Sequence, residues 1–155
     1  MEINVDDVFP ALEAQAERLN KVSDEANKKL AAIEKRLVDL NIGLEYWHER
    51  PVHRDDSVGT FSRDDTREQL VQLLGFARVD GTWCLALKPI RLVNGFFEGD
   101  SSAPFQNRYS GGKVVPLLQA SRDLRIVSLD AMPHFLTEFN EHIQSAAEVI
   151  EKAAT

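Results

Sequence analysis

Residues 70–93, LVQLLGFARVDGTWCLALKPIRLV, decide the fold. Two apolar-rich runs meet at Asp80-Gly81, and a two-residue type I′ turn requires positive φ at both central positions, which Asp and Gly tolerate. The segment therefore reads as a β-hairpin with a fixed register: Val79 opposite Thr82, Arg78 opposite Trp83, Phe76 opposite Leu85 and Leu74 opposite Leu87. Side chains alternate across a strand, so one face carries the large residues Leu74, Phe76, Trp83 and Leu85. The other carries Leu73, Gly75, Ala77, Cys84 and Ala86, which are mostly small. Burying one large side chain contributes about 1.5–3 kcal/mol, so the large face is expected to meet helices. The small face is expected to admit a close neighbour, with the chain's own long loop the first choice.

On either side of the hairpin the strand signals are shorter. Residues 42–49 are expected to enter the sheet as a third strand, and Val93-Asn94-Gly95-Phe96 to turn the chain into a short edge strand. Residues 94–113, NGFFEGDSSAPFQNRYSGGK, read as a loop unusually long for a compact domain. Its Phe96, Phe97, Phe105 and Tyr109 imply that it packs onto something.

Both ends of the chain read as helices. Phe9, Leu12, Ala16, Leu19, Ser23, Ala26, Leu30, Ile33, Leu37 and Leu40 alternate spacings of three and four, the narrow seam of a helix that packs on another helix. With no Pro or Gly between Ala11 and Ile42, the helix would end near Asn41 to Gly43 and run roughly 48 Å at 1.5 Å per residue. Leu129, Met132, Leu136, Phe139, Ile143, Ala146 and Ile150 repeat the device. Pro133 inside this second pattern belongs either to a first turn capped by Asp130 or to a kink in a longer helix capped by Ser121. Two such seams most simply bury each other as an antiparallel pair, and apolar residues left over on the longer helix suit either the sheet or a second copy of the chain.

The length of 155 residues matches one domain, and no linker or repeat divides it. The expected architecture is a single α+β domain over residues 1–155: a long N-terminal helix, an antiparallel sheet of three to five strands around the Asp-Gly hairpin, and a C-terminal helix packed on the first. The single cysteine, Cys84, rules out an internal disulfide and a Cys-based zinc site. The acidic start lacks an apolar leader, and no apolar run reaches the ~18 residues of a membrane span, so a cytoplasmic setting without membrane contact is expected. The net charge of −7 argues against nucleic acid as a partner, because counterion release rewards Lys and Arg against phosphates.

The chemistry-bearing residues gather in WHERPVHRDD, residues 47–56. A zinc-protease helix needs His-Glu-x-x-His, but here the second histidine comes one residue late and Pro51 intervenes. On a strand, Leu44, Tyr46 and His48 share one face, opposite Glu45, Trp47 and Glu49. The remaining catalytic candidates are His53, Asp55 and Asp56, with Asp64 and Asp65 nearby, a set suited to a hard cation or to general-base work. Arg50, Arg54 and Arg63 are the candidates for binding an anionic group, since the guanidinium fork matches carboxylate and phosphate. Cys84 is expected to be an inert buried thiol. His134 and His142, on or near the second seam, are expected to pack or face solvent rather than bind metal. No nucleophile elbow, dinucleotide fingerprint or phosphate loop is present, and no cofactor or metal is expected.

The functional expectation is a non-enzymatic protein-interaction or regulatory module, homodimeric through its seams. The alternative is a small metal-dependent hydrolase or nuclease working through His53, Asp55 and Asp56 with Mg²⁺ or Mn²⁺, assisted by Arg50 or Arg54.

Overall fold

A computed structural model describes residues 2–55, 60–61, 66–96 and 102–155. Its centre is the expected hairpin, β4 (Thr66–Val79) with β5 (Thr82–Phe96). The register is the one read from the turn, including Val79↔Thr82, Phe76↔Leu85 and Leu74↔Leu87. Asp80 (φ 51°) and Gly81 (φ 83°) both adopt the left-handed conformation that a type I′ turn demands.

Both hairpin strands carry edge strands that come in pieces. β1 (Tyr46–Trp47), β2 (His53–Asp55) and β3 (Thr60–Phe61) follow one another antiparallel along β4. β6 (Pro104–Ser110) and β7 (Val115–Pro116) do the same along β5. The expected third strand over residues 42–49 is therefore confined to Tyr46–Trp47, extended by the bond from the His48 amide to the Leu74 carbonyl (2.7 Å). Residues 93–96 do not turn. They continue β5, because β6 supplies their ladder partners, and ten of the fifteen described residues of the expected long loop are strand.

α1 (Val5–Asp39) starts earlier than the seam alone implies. Asn4 Oδ1 accepts from the Asp6 amide, Asp6 and Asp7 suit the positive helix start, and Pro10 is carried inside the helix near that end. α2 (Arg122–Ala154) takes the longer of the two expected forms, capped by Ser121 and passing through Pro133. A single 3-10 turn, Leu117–Gln119, leads into it and drives Leu117 into the core.

The large face of the hairpin meets the helices. Leu74, Phe76, Leu85 and Leu87 form one buried cluster with Leu30 and Leu37 of α1 and Met132, Phe135 and Phe139 of α2. The helices pack on each other as expected, but they run in the same direction. Arg122 Nη2 donates to Asn20 Oδ1 (3.1 Å), which sets the start of α2 beside residue 20 of α1. Further along, Glu34 reaches the backbone of Leu85, in the cross-strand row that also holds Phe76 and Tyr46. Tyr46 in turn stacks on Phe135 and Phe139. Contacts advance together along both helices, which corrects the antiparallel expectation. Short connections impose antiparallel neighbours, whereas here the whole sheet intervenes and returns the chain to the middle of α1.

On the small face the close neighbour at Gly75 is Trp47 of β1. The Trp47 ring lies where a Cβ on Gly75 would stand, its indole N–H donates to Glu45 (2.7 Å), and Lys88 Nζ sits 4.7 Å above it.

Glu34 also closes the hairpin's free edge. Leu85 is fully buried and its amide points away from β4, where no strand among the described residues pairs with it; Glu34 Oε2 accepts that amide at 3.0 Å. Burial raises the Glu34 carboxyl above its ordinary range, against the lowering effect of the Leu85 bond. Glu34→Gln keeps an acceptor without a charge to desolvate, so its stability should match or exceed the parent at neutral pH. Glu34→Ala leaves a buried amide unpaired and should cost about 1–3 kcal/mol, measured by urea unfolding.

Candidate functional site

The sequence-derived candidates fall on the segmented edge along β4. His53 and Asp55, two apart on β2, point to the helix side and line a recess of about 280 Å³ with Asp123 at the start of α2. Asp56, Arg63, Asp64 and Asp65 lie outside the described residues. Arg54 points to the opposite face. There Arg50, Arg54 and Arg108 stand around a recess of about 170 Å³ whose floor is Val71, Leu73, Ile90 and Leu92, with Glu49 at its margin. The structure thus gathers two of the three proposed anion-binding arginines and adds Arg108, which the register places beside Leu92. Cys84 is buried, and burial, followed by the Glu34 charge, raises its thiol above its ordinary range, in keeping with an inert role.

A tighter constellation was not anticipated. His48, His134 and Glu138 bring one ligand atom each to within 4.8 Å of one another. His134 and Glu138 are one turn apart on α2, so they share a face, and His48 extends β1 on the helix side of the sheet. Glu138 bridges the two rings: Oε2 is 2.9 Å from His48 Nε2, and Oε1 is 3.1 Å from His134 Nε2. The Tyr46 hydroxyl donates to Glu138 Oε2 at 3.3 Å. Burial, and then the Glu138 carboxylate, pushes the Tyr46 phenol up to about 12, so it is a neutral donor at any physiological pH.

His48 is 3% exposed and its protonation is constrained by its neighbours. Nδ1 lies 2.9 Å from the Arg50 carbonyl, which can only accept, so Nδ1 carries the proton. Nε2 is buried and has no hydrogen-bonded partner, although Glu138 Oε2 is so near. The distance is short enough for a bond, yet Nε2 makes none. Two histidine nitrogens and a carboxylate in this arrangement suit a divalent transition ion.

Two signals for this cluster were present in the sequence. Tyr46 and His48 alternate onto one strand face, and His134, Glu138 and His142 recur at helical spacing. Their juxtaposition depends on the parallel packing of α2, which spacing alone does not give.

The third feature is a bare helix face. From Ser23 to Leu37 the α1 seam is buried or half-buried against α2 and the sheet, but before it every residue from 2 to 22 is exposed. Phe9 (48%), Leu12 (54%) and Leu19 (42%) carry the uncovered part, flanked by Val5, Val8 and Val22. Among the described residues no helix is long and apolar enough to cross a membrane. No protein-family model, curated protein or solved structure matches the chain.

Proposed function

We propose that the protein is a non-enzymatic interaction or regulatory module that works as a homodimer in the cytoplasm, paired through residues 5–22 of α1. The observation that carries this reading is the abrupt change at Ser23 in one continuous stripe: the same face is buried where α2 runs beside it and bare where α2 has not yet begun. An isolated helix of this length is marginal in water, so its apolar face gains from a partner.

The charge pattern selects a second copy, running antiparallel. Asp6 and Asp7 open the segment, Glu13 lies near its middle, and Glu17, Arg18 and Lys21 close it with a net positive charge. An antiparallel pair centred near residue 14 would set Phe9 against Leu19, Leu12 against Ala16, and the acidic turn against the basic one. A parallel pair would set Asp6 and Asp7 against themselves.

Light scattering coupled to size exclusion checks this. The expected species is twice the chain mass of 17.4 kDa at micromolar concentration, reduced to a single chain by Leu12→Glu, which places a charge in the seam. A parent chain that stays at 17.4 kDa at high micromolar concentration contradicts the proposal.

A further inference from the structure

We infer that His48, His134 and Glu138 form a binding site for one divalent first-row transition ion of the zinc or cobalt type, with its open side facing solvent.

The argument rests on the buried nitrogen. Ligands of a common ion stand close to one another yet aim at the ion, not at each other. With bonds of about 2.1 Å, ligand atoms at the tetrahedral angle are about 3.4 Å apart, so the two contacts of 2.9 and 3.1 Å open by only a few tenths of an ångström to admit the ion. An imidazolium paired with Glu138 would direct its Nε2 proton at the oxygen, but Nε2 makes no such bond. The Arg50 carbonyl meanwhile fixes the tautomer that leaves the Nε2 lone pair free, the outer support that metal-bound histidines ordinarily have. Tyr46 supports the carboxylate in the same way, donating to Glu138.

The donor set defines the class of ion. Two imidazoles and one carboxylate favour zinc, cobalt, nickel or iron(II) over magnesium or calcium, which prefer all-oxygen shells. Three protein ligands leave at least one coordination position, and the half-exposed His134 places it at the surface. A closed structural zinc site would have four protein ligands. Water or a small anion would complete the shell.

Among the described residues, the cluster that could hold an ion consists of His48, His134 and Glu138, while Glu49 and Glu141 act on Tyr46 from further off. His142 is stacked on the Tyr46 ring (5.0 Å between centroids) and is not part of the cluster. It is therefore a control on the same helix.

The experiment uses the full chain, freed of metal by chelation, titrated with Zn²⁺ calorimetrically and with Co²⁺ by visible absorption. One ion per chain is expected, with the ligand-field bands of a low-coordinate cobalt site and an upward shift of the melting temperature. His134→Ala, at an exposed position that the fold does not need, should weaken binding by at least about a hundredfold, because loss of even an outer partner costs 10–100-fold. Glu138→Gln should do the same, whereas His142→Ala should bind as the parent does. Absence of binding by the folded parent overturns the inference. So does binding that survives His134→Ala, or binding that is abolished by Asp55→Ala and not by His134→Ala, which would assign the ion to the recess at His53.

Discussion

Phe139→Ala should unfold some 10–15 °C below the parent. The side chain is 1% exposed, and its ring lies parallel to Tyr46 (5.4 Å, 5°) and against both Phe76 and Phe135 (5.8 Å each). It is the residue at which α2, the large face of the hairpin and β1 meet. Truncating a buried Phe costs about 3–5 kcal/mol, and each kcal/mol lowers the midpoint by about 2–4 °C in a chain of this size. Domains of this kind are stable by only about 5–15 kcal/mol, so the loss is a large share of the total. Differential scanning calorimetry gives the answer; a change under about 3 °C would mean that the aromatic cluster is not the centre of the core.

The second large effect is expected on the opposite face. A Cβ at Gly75 would overlap the Trp47 ring, so Gly75→Val must expel the indole or bend β4 away from β1. Overpacking of this kind costs about 1–3 kcal/mol, and displacing Trp47 also uncovers the small face it protects. The coupling is testable by a double-mutant cycle. Gly75→Ala should be costly in the parent and nearly neutral when Trp47 is already Ala. Equal costs in the two backgrounds would show that the indole is not what requires glycine.

These two residues also show what was legible in the sequence. Gly75 sits among the small residues of a face whose register follows from Asp80-Gly81 alone, so the need for a close neighbour could be read before its identity. Trp47 could not be named, because nothing local reveals which of several apolar groups will fill a gap between strands. The large face and the two seams were equally readable as apolar faces from their periodicity, which does not say how much of each seam is covered. Direction was not: the seams of α1 and α2 are compatible with either orientation, and only the length of chain between them frees the parallel one. The candidate site was hidden for that reason. Tyr46 and Glu138 lie 92 positions apart, and His134 on its own is an ordinary exposed helix residue. Loop composition instead drew attention to His53, Asp55 and Asp56. The structure brings the first two to one recess, and the third lies outside the described residues. For the arginines, spacing gave no placement: Arg54 reaches the apolar strands only through the β2–β4 register, and Arg108 only through the β5–β6 register.

The claim on which the functional account turns is that residues 5–22 of α1 lie antiparallel against the same residues of a second chain. Spin labels placed singly at Gln15→Cys and at Glu2→Cys, in a Cys84→Ala background, measure it directly by pulsed dipolar spectroscopy. Pairing about residue 14 puts the two labels at position 15 about one helix diameter apart, near 10–12 Å plus the label arms, and those at position 2 more than about 30 Å apart. Short distances at both positions would mean a parallel pair, and no dipolar signal at either would mean that the exposed seam of α1 does not bring two chains together.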